Sequence, residues 1–173
     1  CYGYGGYTYD GRWKPVAERM IAHYGLQNGD KVLDVGCGKA HLLYEMKRIL
    51  PGLDVRGIDV SEYGITHTLP EIQPYLEPGR AQDMDFPENS FDLVMSFNTL
   101  HNLYIYDLVK AIRAIEKCAK QSYICVESYR TEEEKVNLLY WQLTCECFFH
   151  VKEWEWIYQE NGYTGDYGFI FFE

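Results

Sequence analysis

Two carboxylates and two glycines form the part of the sequence with the clearest chemical meaning. Asp34 precedes Gly36 and Gly38 in the run KVLDVGCGKA, and Asp59 ends the apolar run VRGID about 25 positions later. Glycines at this spacing let the chain turn tightly and let its backbone approach a ligand without an intervening Cβ atom. An acid at the tip of the next strand can accept hydrogen bonds from the two hydroxyls of a ribose. The pattern predicts a βαβ unit that binds a nucleoside-like cofactor on its glycine turn.

The charge of Asp34 indicates which kind of cofactor this turn would take. A dinucleotide-binding turn usually has the order GxGxxG and places a pyrophosphate at the helix N-terminus. Here the order is Gly36-x-Gly38-x-Ala40, with Asp34 two residues before the first glycine. A carboxylate at that position would repel a pyrophosphate but would attract an ammonium group. A nucleotide-cofactor oxidoreductase is therefore disfavoured, although it stays an alternative hypothesis.

Strands alternate with helices along the chain, which predicts an α/β fold with a parallel sheet covered on both faces. We expect a three-layer Rossmann-like sandwich whose twisted, mostly parallel sheet has six to seven strands. The predicted strands are 31–35, 54–58, a weak one just before Gly79, 91–96, 123–127 and 169–172. The predicted helices are 12–24, 39–49, a short and broken one within 61–76, 106–118, 132–143 and 154–160.

Composition limits the partners that we expect. The 173 residues carry a formal net charge of −10, and because nucleic acid binding needs a basic face, we expect no nucleic acid partner. The sequence has no run of about 18 apolar residues, so we expect no membrane span and no membrane partner. A small-molecule substrate is the favoured partner, and the oligomeric state stays open.

The cysteines indicate a reducing environment. Six are scattered along the chain, and one of them, Cys37, lies in the glycine turn, where a disulfide would be awkward. Reduced thiols fit a cytoplasmic protein. Cys145, Cys147 and His150 could be three metal ligands, but without a fourth we expect no metal site. Because the chain begins at Cys1 rather than at a methionine, we expect it to be part of a slightly longer protein.

These motifs together resemble the class I S-adenosylmethionine-dependent methyltransferases. Residues 86–94 (FPENSFDLV) resemble the segment that leads into the fourth strand of that family, and residues 98–103 (NTLHNL) resemble the loop after it. Residues 154–163 resemble the family's late helix and Gly-Tyr turn. The resemblance extends over residues 29–172 in the expected order. It implies a small single-domain enzyme that uses S-adenosylmethionine and releases S-adenosylhomocysteine.

The resemblance also implies the residues around the cofactor. They are Asp34, Gly36, Cys37, Gly38, Asp59, Val60, Arg80, Ala81 and Asn98. Asp59 would hold the ribose with Val60 flanking the adenine, and Asn98 would contact the amino end of the methionine. Arg80, followed by Ala81, stands where the family often has an acid near the adenine amino group, and Asp83 is the alternative contact.

The candidate proton acceptors are His101 and Glu127. The resemblance places His101 on the loop above the methyl group of the cofactor, where a neutral imidazole could take the proton of a hydroxyl acceptor. Glu127, at the tip of the fifth strand, is the second candidate. In the alternative interpretation, His101 caps or underlies the next helix and Glu127 caps a turn.

The N-terminal residues are the candidate acceptor site. Tyr4, Tyr7 and Tyr9 lie among glycines and, with Arg12, could close over the cofactor as a lid, or could simply seal one face of the sheet. Arg12 and Arg130 could hold an anionic acceptor, or could be solvated surface charges. We therefore divide the chain into a lid segment and helix (1–24) and an S-adenosylmethionine-binding methyltransferase domain (25–173).

The function that these residues favour is methyl transfer to a small polar acceptor that can carry a negative charge. O-methylation of a metabolite or of a surface-polysaccharide precursor is the favoured reaction, by analogy of fold. Besides the oxidoreductase, a cofactor-binding domain without turnover is the alternative.

Overall fold

The computed structural model describes residues 8–142 and 144–173. Its strands are β1 (Lys31–Val35), β2 (Asp54–Asp59), β3 (Leu76–Pro78), β4 (Leu93–Phe97), β5 (Ser122–Glu127) and β6 (Asp166–Ile170). They form a six-stranded sheet in the order β3-β2-β1-β4-β5-β6, and every pairing between neighbours is parallel. The predicted α/β, Rossmann-like fold is confirmed.

Six α-helices connect or flank the strands in the described part of the chain. They are α1 (Lys14–Tyr24), α2 (His41–Ile49), α3 (Glu62–Thr66), α4 (Ile105–Cys118), α5 (Glu132–Trp141) and α6 (Val151–Glu160). One-turn 3₁₀ helices lie at Gln73–Tyr75, Ala81–Asp83 and Leu100–Asn102. None of the helices in the described residues combines the length and apolar character that a membrane crossing requires.

The sheet is covered on both faces because successive strand residues point to opposite sides. Val32 joins a cluster with residues of α1 and α2, whereas its neighbour Leu33 joins a second cluster with residues of α4 and α6. Both side chains are fully buried. Burial on both faces explains why the inner strands are continuous apolar runs rather than alternating ones. The division of the chain at residue 24 stays a prediction, and α1 packs in the same cluster as α2.

The strand order determines where a ligand can bind. β1 pairs with β2 on one side and with β4 on the other, so the chain moves outward from β1 through β2 to β3 and then returns to the other side of β1 at β4. In an open parallel sheet such a reversal leaves a crevice at the carboxyl ends of the strands. Asp34 and Asp59 lie at the ends of β1 and β2, which places both acids at this crevice.

Candidate cofactor site

A cavity of about 810 Å³ opens at this edge of the sheet. Its volume lies within the range that small-molecule and cofactor pockets occupy. Its polar side contains the ends of β1 and β2 and the glycine turn, and its apolar side is made by α1, β4 and β6. The residues that line the cavity include Arg12, Trp13, Val16, Arg19, Asp34, Gly36, Cys37, Gly38, Lys39, His41, Asp59, Ser61, Tyr63, Phe97, Asn98 and Ile170.

The glycine turn uses its two glycines for different purposes. Gly36 (φ +77°) and Gly38 (φ +54°) both adopt left-handed conformations that favour glycine. A Cβ atom on Gly36 would lie 2.0 Å from Thr99 Oγ1, so this glycine allows the turn to pack against the loop after β4. A Cβ atom on Gly38 would meet no atom of the described residues within 4 Å, and Gly38 lines the cavity. Gly38 is therefore the position where the backbone can approach a ligand.

Asp59 connects the glycine turn to the end of β2. Its Oδ2 accepts a hydrogen bond from the Gly38 backbone N–H at 2.7 Å, and its Oδ1 accepts one from the Ser61 N–H at 2.7 Å. Hydrogen bonds to both oxygens fix the orientation of the carboxylate. A carboxylate held in this way can accept further hydrogen bonds from a ligand in the cavity, since each oxygen has two lone pairs.

The environment of Asp34 differs from that of Asp59. It is only 4% exposed, and among the described residues no hydrogen bond or cation contributes to the pKa of its carboxyl group. Burial, together with the nearby charge of Asp59, raises the pKa of Asp34 to about 8. Asp34 is therefore mostly protonated at neutral pH in the unliganded protein.

Asp34 makes stability depend on pH. Its carboxyl group has an ordinary pKa of 3.8 and a folded-state pKa of about 8. Between these values the folded protein holds a proton that the unfolded chain has released, so the free energy of unfolding decreases as pH rises. We expect a decrease of roughly 2 kcal/mol between pH 6.5 and 8, with a smaller part from Glu127, whose pKa burial raises to about 7.

Urea unfolding at several pH values measures this decrease. Asp34→Asn should retain only the smaller part that comes from Glu127, which His101 partly offsets because its pKa is lowered to about 4. A wild-type free energy of unfolding that is constant over this range would contradict the protonated state of Asp34.

Asn98 begins the loop after β4 and also faces the cavity. It has a left-handed backbone with φ +52°, which asparagine tolerates better than most residues. Its backbone N–H donates to the carbonyl oxygen of Cys125 at 2.9 Å, which joins the loop to β5. The side-chain Oδ1 is buried and has no hydrogen-bond partner among the described residues. Buried polar atoms are normally hydrogen-bonded, and a ligand amino group could supply the partner.

His101, within this loop, lies close to Glu127, at the end of β5. His101 Nε2 is 3.6 Å from Glu127 Oε2, and the side chains are 1% and 4% exposed. Burial lowers the pKa of His101 to about 4 and raises that of Glu127 to about 7. At neutral pH the imidazole is therefore neutral, and the carboxyl group is divided between its protonated and ionised forms.

The segment 144–147 covers this pair. The backbone N–H groups of Glu146 and Cys147 both donate to the carbonyl oxygen of His101 at 3.0 Å. Thr144 Oγ1 donates to Asn102 Oδ1 at 2.9 Å. Within the part of the chain that the structure describes, His101 Nδ1 and Glu127 Oε2 have no hydrogen-bond partner. The pair is therefore buried, and it is not among the residues that line the cavity.

Comparison with known proteins identifies the family to which this chain belongs. A family described as the methyltransferase domain matches this chain over residues 26–165. These residues include the glycine turn, both acids and the loop after β4. The chain belongs to the class I S-adenosylmethionine-dependent methyltransferases.

Curated methyltransferases from several organisms are similar in sequence. A demethylmenaquinone methyltransferase of Symbiobacterium thermophilum is 26% identical over 145 residues, which cover 76% of this chain and 57% of that protein. Cycloartenol-C-24-methyltransferase of Arabidopsis thaliana is 33% identical over 67% of this chain and 40% of its own length. Nocamycin O-methyltransferase of Saccharothrix syringae is 34% identical over 47% of this chain and 32% of its own length. The chain thus spans between a third and somewhat more than half of these relatives.

Solved structures share the fold. The YcgJ protein of Bacillus subtilis superposes with a TM-score of 0.66 at 20% identity, over 84% of this chain and 66% of that one. The MccD protein superposes with a TM-score of 0.64 at 16% identity, over 83% of this chain and 68% of that one. Both similarities concern the methyltransferase fold alone.

The residues present fit the cofactor of this methyltransferase family. Gly38 borders open space, Asp59 is fixed by hydrogen bonds to both oxygens, and Asn98 has a buried oxygen that lacks a partner. Of the predicted cofactor residues, the cavity brings together Asp34, Gly36, Cys37, Gly38, Asp59 and Asn98.

Val60, Arg80 and Ala81 are not among the residues that line the cavity. Val60 is 72% exposed just beyond Asp59. Arg80 Nε lies 3.6 Å from Asp83 Oδ2, and Ala81 is buried at the start of a 3₁₀ helix. Their contacts with an adenine ring, like that of Asp83, stay predictions.

The predicted acceptor residues lie in separate places. Tyr4 and Tyr7 fall outside the described residues. The Tyr9 hydroxyl donates to Glu45 on α2, and its ring packs edge-on against His41 at 5.6 Å. Arg12 lines the cavity and pairs with Asp10 at 2.6 Å.

Arg130 lies outside the cavity lining. It pairs with Glu134 and with Glu173, and its guanidinium carbon lies 4.0 Å from the centre of the Phe171 ring. These contacts hold the Arg130 side chain against its neighbours. Its role in binding an acceptor stays a prediction.

Sequence reasoning did not assign the apolar side of the cavity. The rings of Trp13 and Phe97 meet edge-on at 5.8 Å, and Val16 and Ile170 complete this wall. The spacing of Trp13 and Val16 indicates the inward face of a helix, but it cannot tell a core from a cavity wall. In the described residues, no group of His, Cys, Asp or Glu side chains is arranged to hold a metal ion.

Proposed function

We propose that this protein transfers the methyl group of S-adenosylmethionine to an oxygen atom of a small polar acceptor that carries a negative charge. The observation that supports this most is the combination, in one cavity, of the open Gly38 position, the fixed Asp59 carboxylate and the partnerless Asp34. When bound, S-adenosylmethionine supplies a methyl group on a sulfonium, which is already a good leaving group.

The binding residues have separate tasks. Asp59 accepts hydrogen bonds from the ribose hydroxyls, and the open backbone at Gly38 allows the cofactor to come close. Asp34 and the unpartnered Oδ1 of Asn98 receive the ammonium group of the amino-acid end. These contacts position the methyl group toward the acceptor, and positioning can supply much of the rate enhancement of such a transfer.

The cavity wall supports an anionic acceptor with an apolar body. Arg12 and Arg19 bring two cations to the lining, although the chain as a whole has a net charge of −10. Trp13 and Phe97 add aromatic surface beside them. An acceptor of this kind would place its carboxylate or phosphate at the arginines and its body against the rings.

Glu127 is the better candidate for the base. A base works best when its pKa is near the working pH, and the pKa of Glu127 is about 7 whereas that of His101 is about 4. We therefore assign proton removal to Glu127 and give His101, 3.6 Å away, the task of orienting it. The sequence alone favours His101 over Glu127 as the base, because it indicates only the ordinary pKa of each residue. The acceptor would reach Glu127 by displacing the cover at 144–147.

The alternative is a cofactor-binding domain without turnover. The burial of both candidate bases outside the cavity lining favours it. Membership in the methyltransferase family counts against the oxidoreductase hypothesis.

We place the protein in the cytoplasm. The described cysteines, Cys37, Cys118, Cys125, Cys145 and Cys147, are all free thiols, which a reducing compartment maintains.

Transfer of a labelled methyl group tests the enzymatic proposal. The protein is incubated with methyl-labelled S-adenosylmethionine and with fractionated small-molecule extracts, and labelled products are counted. We expect label in an anionic fraction, carried by an ether or ester oxygen. Asp59→Ala should raise KM for the cofactor about 10- to 150-fold, the loss of charge-assisted hydrogen bonds of about 1.5–3 kcal/mol. Tight binding of S-adenosylhomocysteine without label in any fraction would favour the non-enzymatic alternative.

A further inference from the structure

The neighbours of Asp34 on the sheet explain why it has no partner. In the sheet register Asp34 lies opposite Gly57 on β2 and opposite Met95 on β4. Glycine has no side chain and methionine has no donor, so neither adjacent strand can neutralise a charge on Asp34. Asp59, by contrast, has two backbone donors at 2.7 Å. The two acids therefore share one cavity but differ in their hydrogen bonding.

We propose that Asp34 exchanges a proton for the ammonium group of the ligand. This inference rests on the proposed function, because the ligand is the amino-acid end of S-adenosylmethionine or S-adenosylhomocysteine. In the unliganded protein Asp34 is a neutral carboxylic acid. When the ammonium group binds, the O–H bond of Asp34 breaks, the proton leaves to solvent, and the resulting carboxylate accepts an N–H hydrogen bond from the ligand.

The physical reason is the cost of a buried charge. An ionised carboxylate without a partner in a cavity wall is expensive, and the proton removes that cost. A ligand cation at hydrogen-bond distance removes it equally well, so the proton is no longer needed. The raised pKa of Asp34, about 8, agrees with this account, which the burial and the absent donors already support.

Other charged or titratable groups share the cavity with Asp34. They are Asp59 on β2, Cys37 and Lys39 on the turn, His41 on α2, Tyr63 on α3, and Arg12 and Arg19 at α1.

Among these groups, Asp59 raises the pKa of Asp34, and pairing with a cation does not contribute to that pKa. Arg12 pairs with Asp10 at 2.6 Å, Arg19 donates to the carbonyl oxygen of Pro15 at 3.3 Å, and Lys39 lies 5.6 Å from the Tyr63 ring centre. His41 is the group whose titration must be separated from that of Asp34, because an ordinary histidine also titrates near neutral pH.

The exchange makes Asp34 a specificity residue. A ligand that retains the adenosine part but lacks the amino group cannot replace the proton, so its affinity should not depend on pH in this range. A ligand with the amino group should bind more tightly as pH rises. From a pKa of about 8, the affinity should increase about 50-fold between pH 6 and pH 8.

Calorimetric titration in buffers of different ionisation enthalpy counts the protons released. At pH 7, wild-type protein should release about 0.9 proton per S-adenosylhomocysteine bound and close to none per 5′-methylthioadenosine. Asp34→Asn should abolish the release, whereas His41→Gln should retain it. Infrared difference spectra of the wild type add a readout that needs no variant, because the band of a protonated carboxyl group should disappear when S-adenosylhomocysteine binds.

Each outcome decides one point. Binding of S-adenosylhomocysteine by the wild type without proton release and without loss of the carboxyl band would overturn the exchange and leave the proposed function intact. Release that persists in Asp34→Asn but disappears in His41→Gln would assign the proton to His41 and overturn the inference. Failure of S-adenosylhomocysteine to bind at all would overturn the proposed function itself.

Discussion

Glu127→Gln should lower turnover by about 10²- to 10⁴-fold and leave the affinity for S-adenosylhomocysteine close to that of the wild type. Glutamine preserves the shape of the side chain but cannot take a proton. The carboxyl group is buried outside the cavity lining, so its loss should not disturb the cofactor. Steady-state kinetics with the labelled cofactor measure the turnover, and calorimetry measures the affinity.

The pH profile identifies the base more specifically. Wild-type turnover should rise through a group that titrates at about 7, the pKa of Glu127 in its buried setting. His101→Gln should shift or flatten this rise, because it removes the polar neighbour of Glu127 while the carboxyl group remains. Glu116→Gln is the control, since Glu116 accepts hydrogen bonds from Thr164 far from the cavity and should leave turnover unchanged. Full activity in Glu127→Gln would exclude it as the base.

Gly36→Ala should destabilise the protein by about 3–4 kcal/mol, the largest effect on stability that we expect in the glycine turn. The new Cβ atom would lie 2.0 Å from Thr99 Oγ1 and 2.6 Å from Thr99 Cβ. Rotation of the threonine cannot relieve the second contact, so the loop after β4 must shift. Urea unfolding measures the loss, and a Gly36→Ala, Thr99→Gly double variant should recover part of it.

Gly38 provides the matched comparison within the same turn. Its φ of +54° costs an alanine about 1–2 kcal/mol, but no atom lies within 4 Å of the added Cβ. Gly38→Ala should therefore fold, and Gly38→Val should fold but lose most affinity for S-adenosylhomocysteine, because its methyl groups enter the space of the ligand. Equal loss of stability in Gly36→Ala and Gly38→Ala would mean that backbone strain, and not the contact with Thr99, governs this turn.

Local sequence patterns predict the sheet well where the strands are buried on both faces. The apolar run at 31–35 predicts β1, and the strand is Lys31–Val35. At the edge of the sheet the pattern weakens, since β6 is Asp166–Ile170 whereas the apolar run predicts 169–172. The strand begins earlier because Asp166 and Tyr167 pair with β5 although both are exposed. Backbone pairing at an edge needs no apolar side chain.

The polar side of the site also follows from the sequence, because the acids and glycines lie within a few residues of strand ends. Contacts between distant segments cannot be predicted from the sequence in this way. The closeness of His101 and Glu127 depends on how the loop after β4 meets the end of β5, and both pKa shifts depend on burial in the folded protein. The engagement of Arg130 with Glu134 and Glu173 depends likewise on tertiary structure, since the arginine and Glu173 are far apart in sequence.

Calorimetric titration with S-adenosylhomocysteine, beside NAD and NADP, tests the central claim most directly, namely that the cavity at Asp34, Gly38 and Asp59 is an S-adenosylmethionine site. The account predicts one molecule of S-adenosylhomocysteine bound per chain, no saturable binding of either dinucleotide, and an affinity about 10- to 150-fold weaker in Asp59→Ala. Absence of S-adenosylhomocysteine binding by the folded wild-type protein, or unchanged affinity in folded Asp59→Ala, would contradict it.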